Sequence, residues 1–172
     1  KGSTIIEATS GNTGIALSAL GAYFGYNIII VMPSSMSLER RKMILAYNAK
    51  LVLVDGGMNE CNLKAQELNK EIEGSIIFGQ FDSIKNPEAH YLNTGKEIHE
   101  DLEDVDYIFA GIGTGGTISG IGKYYKEHKL DTKIIGIEPY ESPLISEGRS
   151  GKHLIQGIGA NFIPHTFLKE YV

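Results

Sequence analysis

The sequence predicts an α/β fold: open parallel sheets in two lobes, with helices on both faces. Three observations carry this. Short apolar, β-branched runs alternate with segments of helical apolar spacing along most of the chain. The connections are short, so each strand–helix–strand unit closes as a right-handed crossover and places its strands parallel. The run Ile28-Ile29-Ile30-Val31-Met32 is continuously apolar, as a strand covered on both faces requires.

Residues 3–8 are the first predicted strand. Residues 12–24 are the first helix, with Ile15, Ala16, Ala19, Leu20 and Tyr23 at helical spacing. Strand 27–32 stops at Pro33. Helix 37–48 follows and carries Arg40-Arg41-Lys42 as a solvated basic face. Strand 51–54 runs into the turn Asp55-Gly56-Gly57, and helix 60–72 and the short strand 75–78 come next. Asn86-Pro87 starts a helix over 88–102, with proline at a favoured first-turn position. Strand 106–110, helix 117–128 and strand 133–138 complete the regular part. The Pro87 turn and the long helix behind it divide the chain into a smaller lobe, 1–86, and part of a larger one, 87–172.

Composition narrows the function classes. The 172 residues suffice to bury a core, and a net charge of −5 argues against nucleic acid as a main partner. No apolar run approaches the ~20 residues that span a bilayer. Cys61 is the only cysteine, which leaves no disulfide within the chain and reads as a buried, inert thiol. The five histidines lack metal-ligand spacing, and Ser10 lacks the Gly-x-Ser-x-Gly setting of a hydrolase nucleophile. The chain starts at Lys1 without an initiator Met and ends at Tyr171-Val172, so it is expected to be an internal piece, incomplete at both ends.

Two runs carry chemistry: Thr9-Ser10-Gly11-Asn12-Thr13-Gly14 and Gly113-Thr114-Gly115-Gly116-Thr117. Each follows a strand and opens a helix, where backbone N–H groups and the positive end of the helix dipole converge on a small anion. Two such turns fit a phosphate and a carboxylate on one bound small molecule. Ligands of open parallel sheets bind beyond the carboxyl ends of the strands, and Gln80 lies at that same level. The expected site is a cleft between lobes with one run on each wall. Two other readings exist. N-capping with glycine-permitted geometry accounts for either run alone. Gly111-x-Gly113-x-x-Gly116 with Glu138 also spells a dinucleotide-binding pattern, but it leaves residues 9–14 and Gln80 unexplained.

Five separated stretches agree with one family: residues 9–14, Met32-Pro33-Ser34-Ser35-Met36-Ser37-Leu38-Glu39-Arg40-Arg41, Asn86-Pro87-Glu88-Ala89-His90-Tyr91, residues 113–117 and Gln156-Gly157-Ile158-Gly159. In order and over essentially the whole chain, they resemble cysteine synthases (O-acetylserine sulfhydrylases). These are tryptophan synthase β-like enzymes of pyridoxal-phosphate fold type II. Cystathionine β-synthases share the two Gly/Thr runs, but residues 36–41, Gly136-Ile137-Glu138-Pro139 and Ser142-Pro143 favour the cysteine synthase pattern.

The resemblance implies pyridoxal 5′-phosphate as cofactor, its phosphate held by Gly113, Thr114, Gly115, Gly116 and Thr117. It implies that Thr9, Ser10, Asn12 and Thr13 close on the amino-acid carboxylate, with Asn12 also beside the cofactor 3′-oxygen. Gln80 becomes a second carboxylate ligand and Gly157 a loop glycine that admits substrate. The implied reaction replaces the acetate of O-acetylserine by sulfide to give L-cysteine, in a cytoplasmic homodimer that some serine acetyltransferases dock onto. A cystathionine β-synthase-like enzyme and a noncatalytic homologue or binding module are the alternatives. The family's Schiff-base lysine lies upstream of the first run, and Lys42, Lys50 and Lys123 stand in no matching context. No catalytic residue is therefore assigned, the chain by itself is expected to be inactive, and absent flanks are expected to leave apolar surface exposed. Asn161 stands where glycine is usual in the family.

Overall fold

A computed structural model of the chain describes residues 2–102 and 104–172; Lys1 and Glu103 lie outside the described residues. The chain divides into two compact units, Lys1–Gly79 and Gln80–Val172.

The first unit runs β1 (Thr4–Ala8), α1 (Asn12–Phe24), β2 (Asn27–Pro33), α2 (Leu38–Ala46), β3 (Lys50–Val54), α3 (Met58–Glu71) and β4 (Ile76–Ile77). Its four strands are all parallel, in the order β3-β2-β1-β4. Alternation along β2 explains the unbroken apolar run. Ile29 and Val31 pack with Ile6, Ala8 and α3 residues Cys61, Ala65 and Leu68 on one face. Ile28, Ile30 and Met32 pack with Leu17 of α1 and Ile44 of α2 on the other. Each such fully buried aliphatic side chain stabilises the fold by about 1.5–3 kcal/mol relative to exposure. Burial also pushes the Cys61 thiol pKa up, aided by the nearby Glu60 charge, in keeping with an inert thiol.

Local chemistry sets the element ends. α1 stops at Gly25, which takes the left-handed conformation (φ 75°) and donates its N–H to Gly21 O at 2.9 Å. α3 starts earlier than the predicted 60 because the Glu60 carboxylate reaches back to the Gly57 N–H at 2.8 Å.

The second unit contains α4 (Lys85–Ala89), a π-helical turn (His90–Thr94), α5 (Gly95–Asp101), β5 (Tyr107–Gly111), α6 (Gly116–Glu127), β6 (Lys133–Ile137), α7 (Leu144–Glu147) and a 3₁₀ turn (Lys169–Tyr171). The helix predicted over 88–102 is thus three successive pieces with a wide turn in the middle. β5 and β6 pair in parallel. α6 packs Ile121, Tyr124 and Tyr125 against Tyr91, Ile98, Ile108 and Ile134. Gly120 lets the backbone behind α6 come close: a Cβ there would lie 2.3 Å from Pro87 O and 2.7 Å from Tyr91 N. The other face of the β5–β6 pair is open, with Tyr107, Phe109, Ile135 and Ile137 exposed. Apolar surface is therefore exposed, as the sequence reading expected.

The units divide at Gly79/Gln80, ahead of the expected 86/87 boundary. Residues 80–86 join the second unit because Asn86 holds Gln80 and Thr114, while Thr166 holds Phe81. Among the described residues, no helix is long and apolar enough to cross a membrane.

Candidate functional site

In the first unit, β1 ends at Ala8 and the chain turns through residues 9–11 into α1. The Thr9 N–H continues the strand pairing to Val31 O at 3.0 Å, and Thr9 Oγ1 accepts the Gly11 N–H at 3.3 Å. Thr9 and Gly11 are buried, Thr13 is half-buried, and Ser10 and Asn12 are exposed at the opening of the helix. α1 packs tightly on the turn, since a Cβ at Gly14 would lie 2.8 Å from Thr9 Cγ2 and 3.1 Å from Ile30 Cγ2. Because α1 is 13 residues long, its N-terminus presents a full helix dipole to whatever sits over residues 10–13.

Arg40 braces this turn. Its Nη1 donates to Ser10 O at 3.2 Å, and its guanidinium lies 3.2 Å from where a Gly11 Cβ would be. Arg41 donates to the Ser34 carbonyl, and Ser34 Oγ donates to Asp55 Oδ1 at 2.6 Å. The basic run read as a solvated face thus turns two arginines onto backbone. The parallel pairing of β1 and β2 explains this, since it puts the loops that follow them at one sheet edge. At that edge, Glu7 is 3% exposed and accepts the Gly79 N–H at 2.9 Å.

In the second unit, β5 ends at Gly111 and α6 opens at Gly116, leaving residues 112–115 as the turn between them. Gly115 is left-handed (φ 79°), and a Cβ on it would lie 2.6 Å from Phe167 Cβ. A Cβ at Gly113 would lie 2.3 Å from Gly157 O, and one at Gly116 would lie 1.9 Å from Asn86 Oδ1. Three glycines are therefore needed for close approach, and the turn wraps the first N–H groups of a 12-residue helix. One of these, Gly116 N–H, folds back on Thr114 Oγ1 at 3.3 Å.

Three side chains from distant segments hold the turn. Asn86 Nδ2 donates to Thr114 Oγ1 at 2.9 Å and to Gln80 O at 2.8 Å. Thr166 Oγ1 donates to Thr114 O at 2.6 Å. His90 lies between two hydroxyls, with Nε2 3.0 Å from Thr117 Oγ1 and Nδ1 2.9 Å from Thr94 Oγ1. Burial lowers the His90 pKa, which keeps the ring neutral at neutral pH.

The second unit therefore gathers Gly113, Thr114, Gly115, Gly116 and Thr117 with Gly157, and reaches Gln80 through Asn86. Thr9, Ser10, Asn12 and Thr13 form the turn of the first unit. Arg40, Asn86, His90 and Thr166 were missed as site residues. Asn86 and His90 stand in one of the shared motifs, a signal that could have found them. Thr166 sits in an aperiodic segment and gives none.

Known proteins resemble this chain over nearly its whole length. A family described as "Pyridoxal-phosphate dependent enzyme" matches residues 1–171. Cysteine synthase B of Campylobacter jejuni is 50% identical over 172 residues, which covers 98% of this chain and 58% of that protein. Among solved structures, the cysteine synthase of Entamoeba histolytica superposes with a TM-score of 0.94 at 43% identity, covering 99% of this chain and 52% of that one. An O-ureido-L-serine synthase superposes with a TM-score of 0.95 at 37% identity, covering 99% and 55%. The chain spans a little over half the length of the curated relatives it matches.

Proposed function

Because the chain belongs to the pyridoxal-phosphate dependent enzyme family, we propose that it serves a cysteine synthase, replacing the acetate of O-acetylserine by sulfide to give L-cysteine. The observation that carries this reading is the glycine turn at the start of α6. Its glycines at 113, 115 and 116 let Gly157, Phe167 and Asn86 pack directly against the turn, which is thereby fixed at the N-terminus of a 12-residue helix, where backbone N–H groups and the helix dipole favour an anion. The residues fit the group. Gly113, Thr114, Gly115, Gly116 and Thr117 would hold the phosphate, the two threonines adding hydroxyl donors. When bound, the cofactor supplies an electron sink for charge developing at the amino-acid α-carbon.

The other roles belong to side chains of this chain. The N-terminus of α1, with Thr9, Ser10, Asn12 and Thr13, would bind the substrate carboxylate, and Asn12 would also serve the cofactor ring oxygen. Gln80 would offer its amide N–H as a carboxylate ligand. Gly157, left-handed at φ 89° and exposed, keeps room for the substrate side chain. The carboxylate draws the 9–14 turn inward and excludes water from the reacting carbon. In this reading the turn at residues 9–14 serves the substrate and the turn at residues 113–117 the phosphate. The reading also carries a cytoplasmic homodimer and a serine acetyltransferase as a candidate partner. These rest on the likeness to cysteine synthases. Sedimentation of the full-length protein, alone and with the acetyltransferase tail peptide, tests the assembly.

The main experiment uses the full-length protein. Borohydride reduction followed by mass spectrometry reads cofactor attachment, and product analysis follows O-acetylserine with sulfide or with homocysteine. Cysteine formation, with no comparable cystathionine, is the expected result. Cystathionine as the dominant product moves the protein to the β-synthase class, and neither product with no cofactor adduct overturns the enzyme reading.

A further inference from the structure

Gln80 and the glycine turn lie far apart in sequence, yet two side chains fasten them together. Asn86 Nδ2 donates both to Gln80 O at 2.8 Å and to Thr114 Oγ1 at 2.9 Å. Thr166 is 1% exposed, and its Oγ1 lies 2.6 Å from Thr114 O and 3.2 Å from Phe81 O. Its single hydroxyl hydrogen serves the shorter contact, while its N–H donates to Phe81 O at 3.2 Å. The segment carrying Thr166 is pinned in turn, because Leu168 N–H donates to Ser119 Oγ of α6 at 2.8 Å. Residues 80–81 therefore have no route to shift against Thr114 without breaking buried or half-buried hydrogen bonds.

The same contacts orient Thr114. Its Oγ1 accepts from Asn86 Nδ2 and from Gly116 N–H, which occupies both lone pairs and leaves the hydroxyl hydrogen as its remaining capacity. A side chain prepared in this way is a donor to an anion, never an acceptor facing it.

We infer that Asn86 and Thr166 are positioning residues that make anion binding at the glycine turn and placement of Gln80 a single event. The inference rests on the phosphate reading of residues 113–117 and the carboxylate reading of Gln80. An anion that orders Thr114 orders the 80–81 backbone through both bolts. By linkage, a ligand held by Gln80 tightens anion binding by the same factor. Neither residue touches the reacting atoms.

Amide hydrogen exchange on the full-length apoprotein tests this, alone, with pyridoxal 5′-phosphate, and with pyridoxal, which lacks the phosphate. In the wild type, the phosphate-bearing ligand slows exchange at residues 113–117 and at 80–82, and pyridoxal does neither to the same degree. In Thr166→Val the slowing at 80–82 falls about tenfold, the loss of roughly one hydrogen bond, while that at 113–117 persists. Thr166→Ser restores it. Asn86→Ala carries the same comparison should the valine variant fail to fold. Slowing at 113–117 with none at 80–82, or a Thr166→Val variant that behaves as wild type, overturns the inference and leaves the phosphate cradle standing. Absence of phosphate-dependent slowing at 113–117 removes the cradle and the inference together.

Discussion

The turns at 9–14 and 113–117 are near-copies in chemistry, each a Gly/Thr bend from a parallel strand into a helix of twelve or thirteen residues. Their surroundings differ. The first exposes Ser10 and Asn12 and is braced through the Ser10 carbonyl by the long side chain of Arg40. The second is bolted by Asn86, His90 and Thr166, and its glycines abut the Gly157 carbonyl, Phe167 and Asn86. An arginine head can yield by rotating its stem; a carbonyl or a doubly bonded asparagine cannot. The difference suits the two tasks proposed above for these turns. A resident cofactor phosphate would need a rigid cradle that is paid for once, on folding, whereas a carboxylate that arrives and leaves each turnover would need a turn able to close.

The sharpest way to break this comparison is to put the same methyl group into each turn. In Gly113→Ala the new Cβ meets Gly157 O at 2.3 Å, so backbone must move, and a loss of about 1–3 kcal/mol or more is expected together with cofactor loss. In Gly11→Ala it meets only the Arg40 guanidinium at 3.2 Å, in an extended conformation (φ −177°) open to any residue. A loss below about 1 kcal/mol is expected there. Chemical denaturation of the two variants, with cofactor content measured on each, checks the pair. Equal losses would show that both turns are rigid and remove the distinction.

Hydroxyl deletion separates the tasks themselves. Thr13→Ala is expected to raise KM for O-acetylserine roughly ten- to hundredfold, the loss of one hydrogen bond to a charged group, with cofactor content unchanged. Thr117→Ala is expected to do the reverse, releasing cofactor on dialysis while KM at saturating cofactor stays put. Steady-state kinetics on the full-length protein, alongside an absorbance titration, reads both. A Thr13 variant that sheds cofactor would exchange the two assignments.

Arg40→Gln gives a smaller effect. It removes the guanidinium from the Ser10 carbonyl but keeps a donor of shorter reach, so KM for O-acetylserine is expected to rise about three- to tenfold, with kcat nearly preserved. A fall in kcat at unchanged KM would instead place Arg40 in the chemistry.

How much of this was legible follows from the range of each signal. The strands and helices of the first unit could be read because β2 is buried on both faces and shows it in five consecutive residues. Both turns could be read because a Gly/Thr bend between a strand and a helix is a local arrangement. Arg40 could not, since helical spacing reports a helix's own faces and not the neighbouring loop that a parallel sheet sets beside it. The π-helical turn at His90–Thr94 also left no local mark. It accompanies the close approach of α6 at Gly120, which is decided thirty residues away. The division at Gly79/Gln80 follows the bonds of Asn86 and Thr166, whereas Pro87 marked only the nearest break in composition.

The smallest expected effect belongs to His90, the rigid turn's one titratable brace. Burial disfavours its imidazolium and lowers its pKa from the ordinary 6.5, so the unfolded chain takes up this proton at higher pH than the folded one. The stability His90 contributes is complete above 6.5 and is lost as pH falls through the lowered folded value. Thermal unfolding between pH 8 and pH 5 should therefore fall more steeply for the wild type than for His90→Gln, which keeps polar contacts but does not titrate. The protonated ring donates from both nitrogens, to Thr117 Oγ1 and Thr94 Oγ1, so both contacts survive and cofactor retention should change less than stability over the same range. Parallel unfolding curves would mean that the imidazole is solvated at both ends of that range, and the rigid turn would then be held by Asn86 and Thr166 alone.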